Sequence, residues 1–347
     1  MKKRIPLLIS FVFGLTACGS NSSSNYQEPN GGATPIIIHE DEDSIQEYVY
    51  DSTKAVDVFI MLGQSNMEGN TVAFLEDSDV NYLADHCSEI GEDYNLYKNG
   101  FNNIQISYCT QYSATQHNES NKEEPLKGAF VPVKVGQGYT GNNRFGPELG
   151  IAKAISGQLT AGRTLYLIKY AVGATGFYGS RTWLSPSSGS IGLVYKNATT
   201  FIDNSLKILL SEGKCPVVRG VAWMQGEQDA SASNYLSYFS FVSNMINDLG
   251  VRYQKYCLDK SLNNFSFIDA TINENATLLP HYPSINEQKF RLSEKRNNNY
   301  IIDTSSRGIG LHVGPDGGDQ YHYNVPSMLK LGKAFGQIIV SNNLINK

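Results

Sequence analysis

The chain has 347 residues, of which 18% are charged, and its formal net charge at pH 7 is −5. No cluster of Lys and Arg interrupts the body of the chain, so the phosphate-tracking surface of a nucleic-acid-binding protein is not expected. Beyond the N-terminal region, about 300 residues remain, which is enough for one large hydrophobic core with an insertion.

The first residues have the three parts of a secretory signal. Basic residues 2–4 precede an apolar run over residues 5–15, which is too short for a bilayer span of about 20 residues. The run from Leu15 to Cys18 resembles the lipobox of bacterial lipoproteins, which implies cleavage after residue 17 and a lipid on Cys18. The alternative is an ordinary signal peptide with a coincidental cysteine.

Residues 18–54 are rich in Ser, Asn, Gly, Pro and acidic residues, with too little apolar surface to offset the entropy of ordering. We therefore expect a flexible tether between the anchor and a domain over residues 55–347. The expected location is outside the cytoplasm, lipid-anchored to the bacterial cell envelope, and at the outer membrane if the source is Gram-negative. The lipid is the only contact with a membrane that we expect.

Five short segments rich in β-branched and aromatic residues predict buried strands. Their nearly continuous apolar runs are typical of parallel strands covered on both faces, and apolar residues at helical spacing lie between them. The expected strands are 56–62, 164–171, 218–223, 265–270 and 300–304, and the expected helices are 147–156, 193–212, 235–255, 285–295 and 326–341. This alternation predicts an α/β fold, a three-layer α/β/α sandwich with a central five-stranded, mainly parallel sheet of flavodoxin-like type, with its chemistry at the carboxyl ends of the strands.

The segment from about 71 to 144 does not follow this alternation and is interpreted as an insertion, a lid or substrate wall. Several of its tyrosines are candidates for stacking on sugar rings: Tyr82, Tyr94, Tyr97, Tyr108 and Tyr112. Apart from Cys18 there are four cysteines, an even number in an oxidising compartment, where three pairings are possible. We favour Cys87 with Cys109 and Cys215 with Cys257, and the alternative is four buried thiols.

A serine follows the first predicted strand at a turn, in the run Gly63 to Met67. A nucleophilic serine needs such a turn, because its hydroxyl must stand clear of the backbone while nearby amides stay available for a developing oxyanion. Near the C-terminus, Asp319 stands three residues before His322, close to a glycine-rich loop. A carboxylate at this spacing can orient an imidazole that serves as base. Asp316 is a rival for Asp319, and His312 a weaker rival for His322.

Five blocks in order resemble the sialate O-acetylesterase and acetyl-xylan-esterase-like branch of the SGNH hydrolases. They are residues 63–67 (GQSNM), 145–149 (FGPEL), 169–175 (KYAVGAT), 223–230 (WMQGEQDA) and 319–322 (DQYH). The resemblance extends from about residue 56 to 336. It implies a serine esterase that removes O-acetyl groups from carbohydrate, such as sialic acid, xylan or another glycan, through an acetyl-enzyme intermediate.

The resemblance also implies the roles of the site residues. Ser65 would be the nucleophile, His322 its base and Asp319 the group that orients the imidazole. The oxyanion hole would consist of the Ser65 amide, the Gly173 amide and the side chain of Gln225, with Gln64, Asn66 and Glu227 in support. Ala174 departs from the pattern, because the family often has a second glycine at that position.

Other functions are weighed beside this one. Glu227 and Asp229 suggest a paired-carboxylate glycosidase, but that mechanism does not need a serine turn. The histidines are scattered, so no metal site is expected. No cofactor is expected either, because ester hydrolysis by a triad needs only water as its second substrate. The alternatives are a non-catalytic glycan-binding surface lipoprotein, which would have no reason to keep an activated serine, and an SGNH lipase or thioesterase, which would need an apolar trough for its acyl chain.

Overall fold

A strand of nine residues, Ala55–Gly63, lies at the centre of a seven-stranded sheet and ends directly before Ser65. In the computed structural model, the described residues are 48–110, 128–139, 143–231, 235–256, 265–313 and 318–347. Cys18 and the expected signal and tether up to residue 47 lie outside them.

The strands are β1 (Ala55–Gly63), β2 (Thr71–Val72), β3 (Phe101–Cys109), β4 (Val131–Val133), β5 (Arg144–Phe145), β6 (Leu165–Ala171), β7 (Cys215–Met224), β8 (Ser266–Ala270) and β9 (Asn299–Ile302). The α-helices are α1 (Ser65–Glu68), α2 (Tyr82–Glu89), α3 (Tyr94–Asn99), α4 (Glu148–Ile155), α5 (Leu193–Ser211), α6 (Glu227–Ala230), α7 (Tyr238–Tyr253), α8 (Tyr282–Glu294) and α9 (Val325–Ser341). Short 3-10 helices cover residues 156–158, 186–188, 235–237 and 254–256.

The sheet has the order β4-β3-β6-β1-β7-β8-β9, and every pair except β3 with β4 is parallel. Residues of α5, α7 and α8 share one apolar cluster with one face of the sheet, while residues of α2, α4 and α9 share a second cluster. The three-layer α/β/α sandwich is thus confirmed. Because β6, β1 and β7 are neighbours, the loops that follow them meet at one edge of the sheet.

All five expected strands and all five expected helices are present, with ends that differ by a few residues. The expectation of only five strands in the sheet is wrong, because the segment interpreted as an insertion supplies β3 and β4. β3 pairs in parallel with β6 and continues the sheet, so this segment is largely part of the fold. None of the helices in the described ranges is long and apolar enough to cross a bilayer.

The predicted disulfide between Cys87 and Cys109 is wrong. Cys87 is a buried free thiol that packs with the cluster on one face of the sheet, whereas Cys109 packs with the cluster on the other face. The sheet therefore separates the two side chains. Cys215 is also a buried free thiol, and its Sγ lies 3.8 Å from the Val49 carbonyl oxygen, while its expected partner Cys257 lies outside the described residues.

Candidate active site

The turn after β1 presents Ser65 at the carboxyl edge of the sheet. A Cβ at Gly63, where φ is 155°, would fall 2.0 Å from the Met224 carbonyl oxygen of β7, so only glycine permits this approach. The backbone amide of Gln64 donates to the same Met224 carbonyl oxygen at 3.0 Å. Ser65 begins α1 and is half-buried, and its backbone amide has no acceptor among the described residues.

His322 and Asp319 lie together in the loop between β9 and α9. The Asp319 Oδ2 atom is 2.8 Å from His322 Nδ1, and its Oδ1 atom accepts the backbone amides of Tyr321 and His322, both at 2.7 Å. Partial burial pushes the pKa of Asp319 upward, but the hydrogen bonds from the imidazole and the two amides outweigh it and lower the pKa to about 2. Asp319 is therefore a carboxylate at neutral pH. Its contact with Nδ1 leaves Nε2 as the imidazole nitrogen available to accept a proton.

Of the two rivals for these roles, His312 is exposed at the surface and does not line the cavity that holds Ser65. Asp316 lies outside the described residues.

Asn66 joins the serine turn to the histidine loop. Its Nδ2 atom donates to the Tyr321 carbonyl oxygen at 3.0 Å and to Glu227 Oε1 at 2.8 Å, and its Oδ1 atom accepts the Tyr323 amide at 3.4 Å. The Thr71 hydroxyl donates to the Tyr323 carbonyl oxygen at 2.7 Å. Both residues that flank His322 are thus held by groups that closely follow Ser65 in sequence.

The other two supporting residues, Gln64 and Glu227, are also at the site. Gln64 Oε1 accepts the Gln228 amide at 3.1 Å and the Gln225 side-chain amide at 3.2 Å. Glu227 opens α6 and lines the cavity, and its Oε2 atom is buried without a hydrogen-bond partner among the described residues. Asp229 is buried away from the cavity and accepts the Phe177 amide at 3.0 Å, so the two carboxyl groups do not face one substrate position.

The structure does not place Gln225 as an oxyanion donor. Its side chain is fully buried, and its Nε2 atom lies 2.6 Å from Asp229 Oδ2, 3.0 Å from the Thr175 carbonyl oxygen and 3.2 Å from Gln64 Oε1. Both N–H groups are therefore already engaged inside the protein. In this structure the carboxyl group of Asp229, four residues further along the chain, holds the Gln225 amide inside the protein, so the structure does not bring Gln225 to the cavity with Ser65 and Gly173.

Gly173 does lie beside the serine. A Cβ built on it would be 3.7 Å from Ser65 Cβ and 3.0 Å from Glu68 Oε2. Burial raises the pKa of Glu68 to about 8, with only partial opposition from the Gly173 amide and from the charges of Lys169 and Arg181. The next residue, Ala174, has φ of 54°, the left-handed region that favours glycine.

A buried ion pair supports this side of the site. Lys169 Nζ is 2.9 Å from Glu148 Oε2 and also donates to the Gln137 carbonyl oxygen at 2.7 Å and the Glu68 carbonyl oxygen at 3.2 Å. Both charged side chains are fully buried. Burial lowers the pKa of Lys169, and the Glu148 carboxylate opposes that shift. Through Lys169, the pair holds the backbone carbonyl of Glu68, the last residue of α1.

Ser65, Gly173 and His322 line one open cavity of about 720 Å³, a size typical of small-ligand sites. Its wall includes residues that the sequence did not single out: Glu68, Asn70, Tyr139, Arg181, Gln228, Leu278 and Tyr321. Tyr139, Leu278 and Tyr321 are exposed and give the mouth an apolar rim. None of the acidic, histidine or cysteine side chains in the described ranges forms a cluster that could hold a metal ion.

The expectation that tyrosines of the segment 71–144 stack on sugar is not met by those described. Tyr97 and Tyr108 are buried in the core, and Tyr82 and Tyr94 pack against it, whereas Tyr112 lies outside the described residues. Tyr139 of the same segment lines the cavity instead.

This arrangement has the parts that nucleophilic catalysis needs: a hydroxyl at a sharp turn, an imidazole held by a carboxylate, and backbone amides beside the hydroxyl. The Ser65 hydroxyl makes no hydrogen bond to the His322 ring in this structure, although both line the cavity. Such contacts commonly tighten only when substrate binds.

Solved structures resemble the chain in fold. NanS has a TM-score of 0.58 at 14% identity, over 83% of this chain and 98% of that one. A protein from Arabidopsis thaliana has a TM-score of 0.51 at 20% identity, over 82% and 98% of the two chains. A carbohydrate acetylesterase from Xanthomonas citri has a TM-score of 0.50 at 14% identity, over 83% of this chain and 57% of that one.

A comparison with curated protein sequences gives no match. The model of one protein family, described as carbohydrate esterase, sialic acid-specific acetylesterase, matches residues 55–341, which include every described strand and helix and the whole cavity. The chain therefore belongs to this family of carbohydrate esterases, and it is a carboxylic ester hydrolase.

Proposed function

We propose that the chain removes O-acetyl groups from sialic acid, xylan or another glycan through an acetyl-enzyme on Ser65. The observation that carries this proposal is the 2.8 Å contact between His322 Nδ1 and Asp319 Oδ2 in the loop whose imidazole shares a cavity with Ser65. The family description supports the acetylated carbohydrate as substrate.

In the first half of the reaction, Ser65 Oγ adds to the acetyl carbonyl carbon while His322 Nε2 takes the hydroxyl proton. The sugar oxygen then leaves with that proton, and an acetyl group remains on Ser65. In the second half, His322 activates a water molecule that releases acetate and restores the serine. Asp319 keeps its charge throughout and stabilises the imidazolium form of His322 in both halves.

Acetate release from 4-nitrophenyl acetate, acetylated xylan and O-acetylated sialic acid tests this function, with the parent chain compared with Ser65→Ala. Loss of a triad serine should reduce turnover by a factor on the order of a million. Acetate release by the parent alone supports the proposal and ranks the substrates. If both proteins are inactive on every ester, a glycan-binding role takes its place, and if both are equally active, Ser65 is not the nucleophile.

We further propose that the chain is exported and carries a lipid on Cys18, which anchors it to the cell envelope. The lipobox-like run that ends at Cys18 and the polar tether after it support this assignment. Phase partition in detergent tests it, with the full chain produced in a bacterial host and compared with Cys18→Ser. The parent should enter the detergent phase and the variant should not, whereas equal partition into the aqueous phase would contradict the proposal.

A further inference from the structure

In this structure Gln225, the third oxyanion donor that the family resemblance implies, does not face the cavity. Both N–H groups of the Gln225 side chain donate to acceptors inside the protein. The backbone amides of Ser65 and Gly173 remain as candidate oxyanion donors. Of these, Gly173 lies close to the Glu68 carboxyl group. Removal of one oxyanion donor commonly costs a factor of about 100 to 1000 in turnover, so the identity of the missing group matters.

The carboxyl group of Glu68 lies beside Gly173 and lines the same cavity as Ser65. From a Cβ built on Gly173, Glu68 Oε2 is 3.0 Å away and Ser65 Cβ is 3.7 Å away, so the carboxyl oxygen and the serine approach the same side of this glycine. Glu68 also lines the cavity, although only 1% of its surface is exposed.

The charges around Glu68 do not hold it as a carboxylate. The Lys169 ammonium contacts the Glu148 carboxylate and the backbone carbonyl of Glu68 rather than its side chain. The Asn70 amide is 3.5 Å from Glu68 Oε2, and Arg181, Glu227 and His322 line the same cavity. Burial outweighs these groups and raises the pKa of Glu68 to about 8, so the acid is mostly neutral at pH 7.

A neutral acid and a carboxylate would have opposite effects here. A carboxylate beside the developing oxyanion would repel it, whereas a carboxylic acid kept neutral by burial can donate its O–H to such an oxygen. We propose that Glu68, as a neutral acid, is a catalytic residue that donates a hydrogen bond to the oxyanion formed when Ser65 adds to the ester carbonyl. No proton is transferred from Glu68 in this step. The inference rests on the proposed esterase function.

Two substitutions of Glu68 test the inference. Glu68→Gln keeps the size and an N–H donor but cannot ionise, whereas Glu68→Met keeps the size and removes the donor. Turnover of 4-nitrophenyl acetate and of the best glycan is measured between about pH 5 and pH 10 for each protein, with the blank hydrolysis rate subtracted. Thermal melting of both variants checks that the fold is intact.

We expect turnover by the parent to fall as pH rises through about 8, because Glu68 then becomes a carboxylate. Glu68→Gln should keep its activity at high pH and stay within about tenfold of the parent at pH 7. Glu68→Met should lose a factor of about 100 to 1000 in kcat at every pH, with little change in KM.

The inference is overturned if Glu68→Met keeps its kcat within about threefold of the parent. It is also overturned if the parent and Glu68→Gln lose activity along the same alkaline curve, because another group then titrates. If the parent releases no acetate from any ester, the proposed function fails and this inference fails with it. A parent that is active while Glu68→Met is unaffected overturns the role of Glu68 alone.

Discussion

The side-chain amide nitrogen of Asn66 lies 2.8 Å from Glu227 Oε1, and the same atom donates to the carbonyl of Tyr321, the residue before His322. Asn66 directly follows the serine, Glu227 opens α6 after β7, and Tyr321 belongs to the loop after β9. One buried amide therefore sets the position of Ser65 relative to His322. Such links matter because small displacements of reacting groups reduce turnover steeply.

Asn66→Ala should lower both activity and stability. The histidine loop loses its anchor, which should reduce kcat by about 100-fold. The buried Glu227 carboxyl group loses its donor, which should cost about 1–3 kcal/mol in the free energy of unfolding. Asn102→Ala, at an exposed asparagine on β3, is the matched control and should change neither quantity. Unchanged kcat in Asn66→Ala would show that the loop keeps its place without this amide.

Asp319→Asn should reduce kcat by roughly 100- to 10,000-fold with little change in KM, because the imidazole loses the carboxylate that orients it and stabilises its charge. Asp316→Asn is the control, since Asp316 is the other acidic residue close to His322 in sequence. Steady-state kinetics at pH 7 decide between them. A large effect of Asp316→Asn with a small one for Asp319→Asn would exchange their roles.

Asp319 should also contribute to the pH dependence of stability. Its pKa in the folded chain is about 2, below its ordinary value of 3.8, so the folded state holds the carboxylate more strongly than the unfolded state does. The resulting stabilisation is present above about pH 4 and disappears as the pH falls towards 2. The difference in melting temperature between the parent and Asp319→Asn should therefore shrink over this window, and a constant difference would contradict the assignment.

Ala174→Gly should leave the fold intact and raise its stability or leave it unchanged. An alanine at φ of 54° carries a steric cost of about 1 kcal/mol that glycine does not. The greater freedom of glycine in the unfolded chain offsets part of the gain. Differential scanning calorimetry measures the outcome. A clear loss of stability would mean that the methyl group of Ala174 makes contacts worth more than the backbone cost.

Lys169→Met should destabilise the chain by about 3–5 kcal/mol, because it leaves the fully buried Glu148 carboxylate without its partner. Adding Glu148→Gln should recover at least about 1 kcal/mol of this loss, since the second change removes the stranded charge. Urea unfolding of the two single variants and the double variant gives the coupling energy. If the two changes are additive, the ion pair does not stabilise the fold.

Five of the seven strands of the sheet could be predicted from the sequence because they are nearly continuous apolar runs. β3 escaped prediction because Asn102, Asn103 and Gln105 interrupt its apolar pattern, although Ile104 and Ile106 alternate with them and are buried. That alternation was the available signal. Whether Cys87 and Cys109 form a disulfide could not be decided from their spacing, because it depends on which face of the sheet each side chain occupies.

In the site, too, locally determined features could be predicted from the sequence, whereas those that depend on tertiary packing could not. Ser65, Asp319 and His322 could be proposed because the turn and the spacing are local patterns and because five ordered blocks around them resemble one family. The competition of Asp229 for the Gln225 amide is local too, at four residues, but its outcome depends on how deeply both side chains are buried. Glu68 gave a weaker signal: an acidic residue directly after the block 63–67 that contains Ser65.

The central claim is that Ser65 is an activated nucleophile, and covalent labelling tests it without any choice of sugar. The parent, Ser65→Ala and His322→Ala are treated with an organophosphate that reacts with activated serines, and the adduct is located by peptide mass spectrometry. We predict one adduct on Ser65 in the parent, none in Ser65→Ala and strongly slowed labelling in His322→Ala. Labelling of the parent on another residue, or equal labelling of parent and Ser65→Ala, would contradict the account.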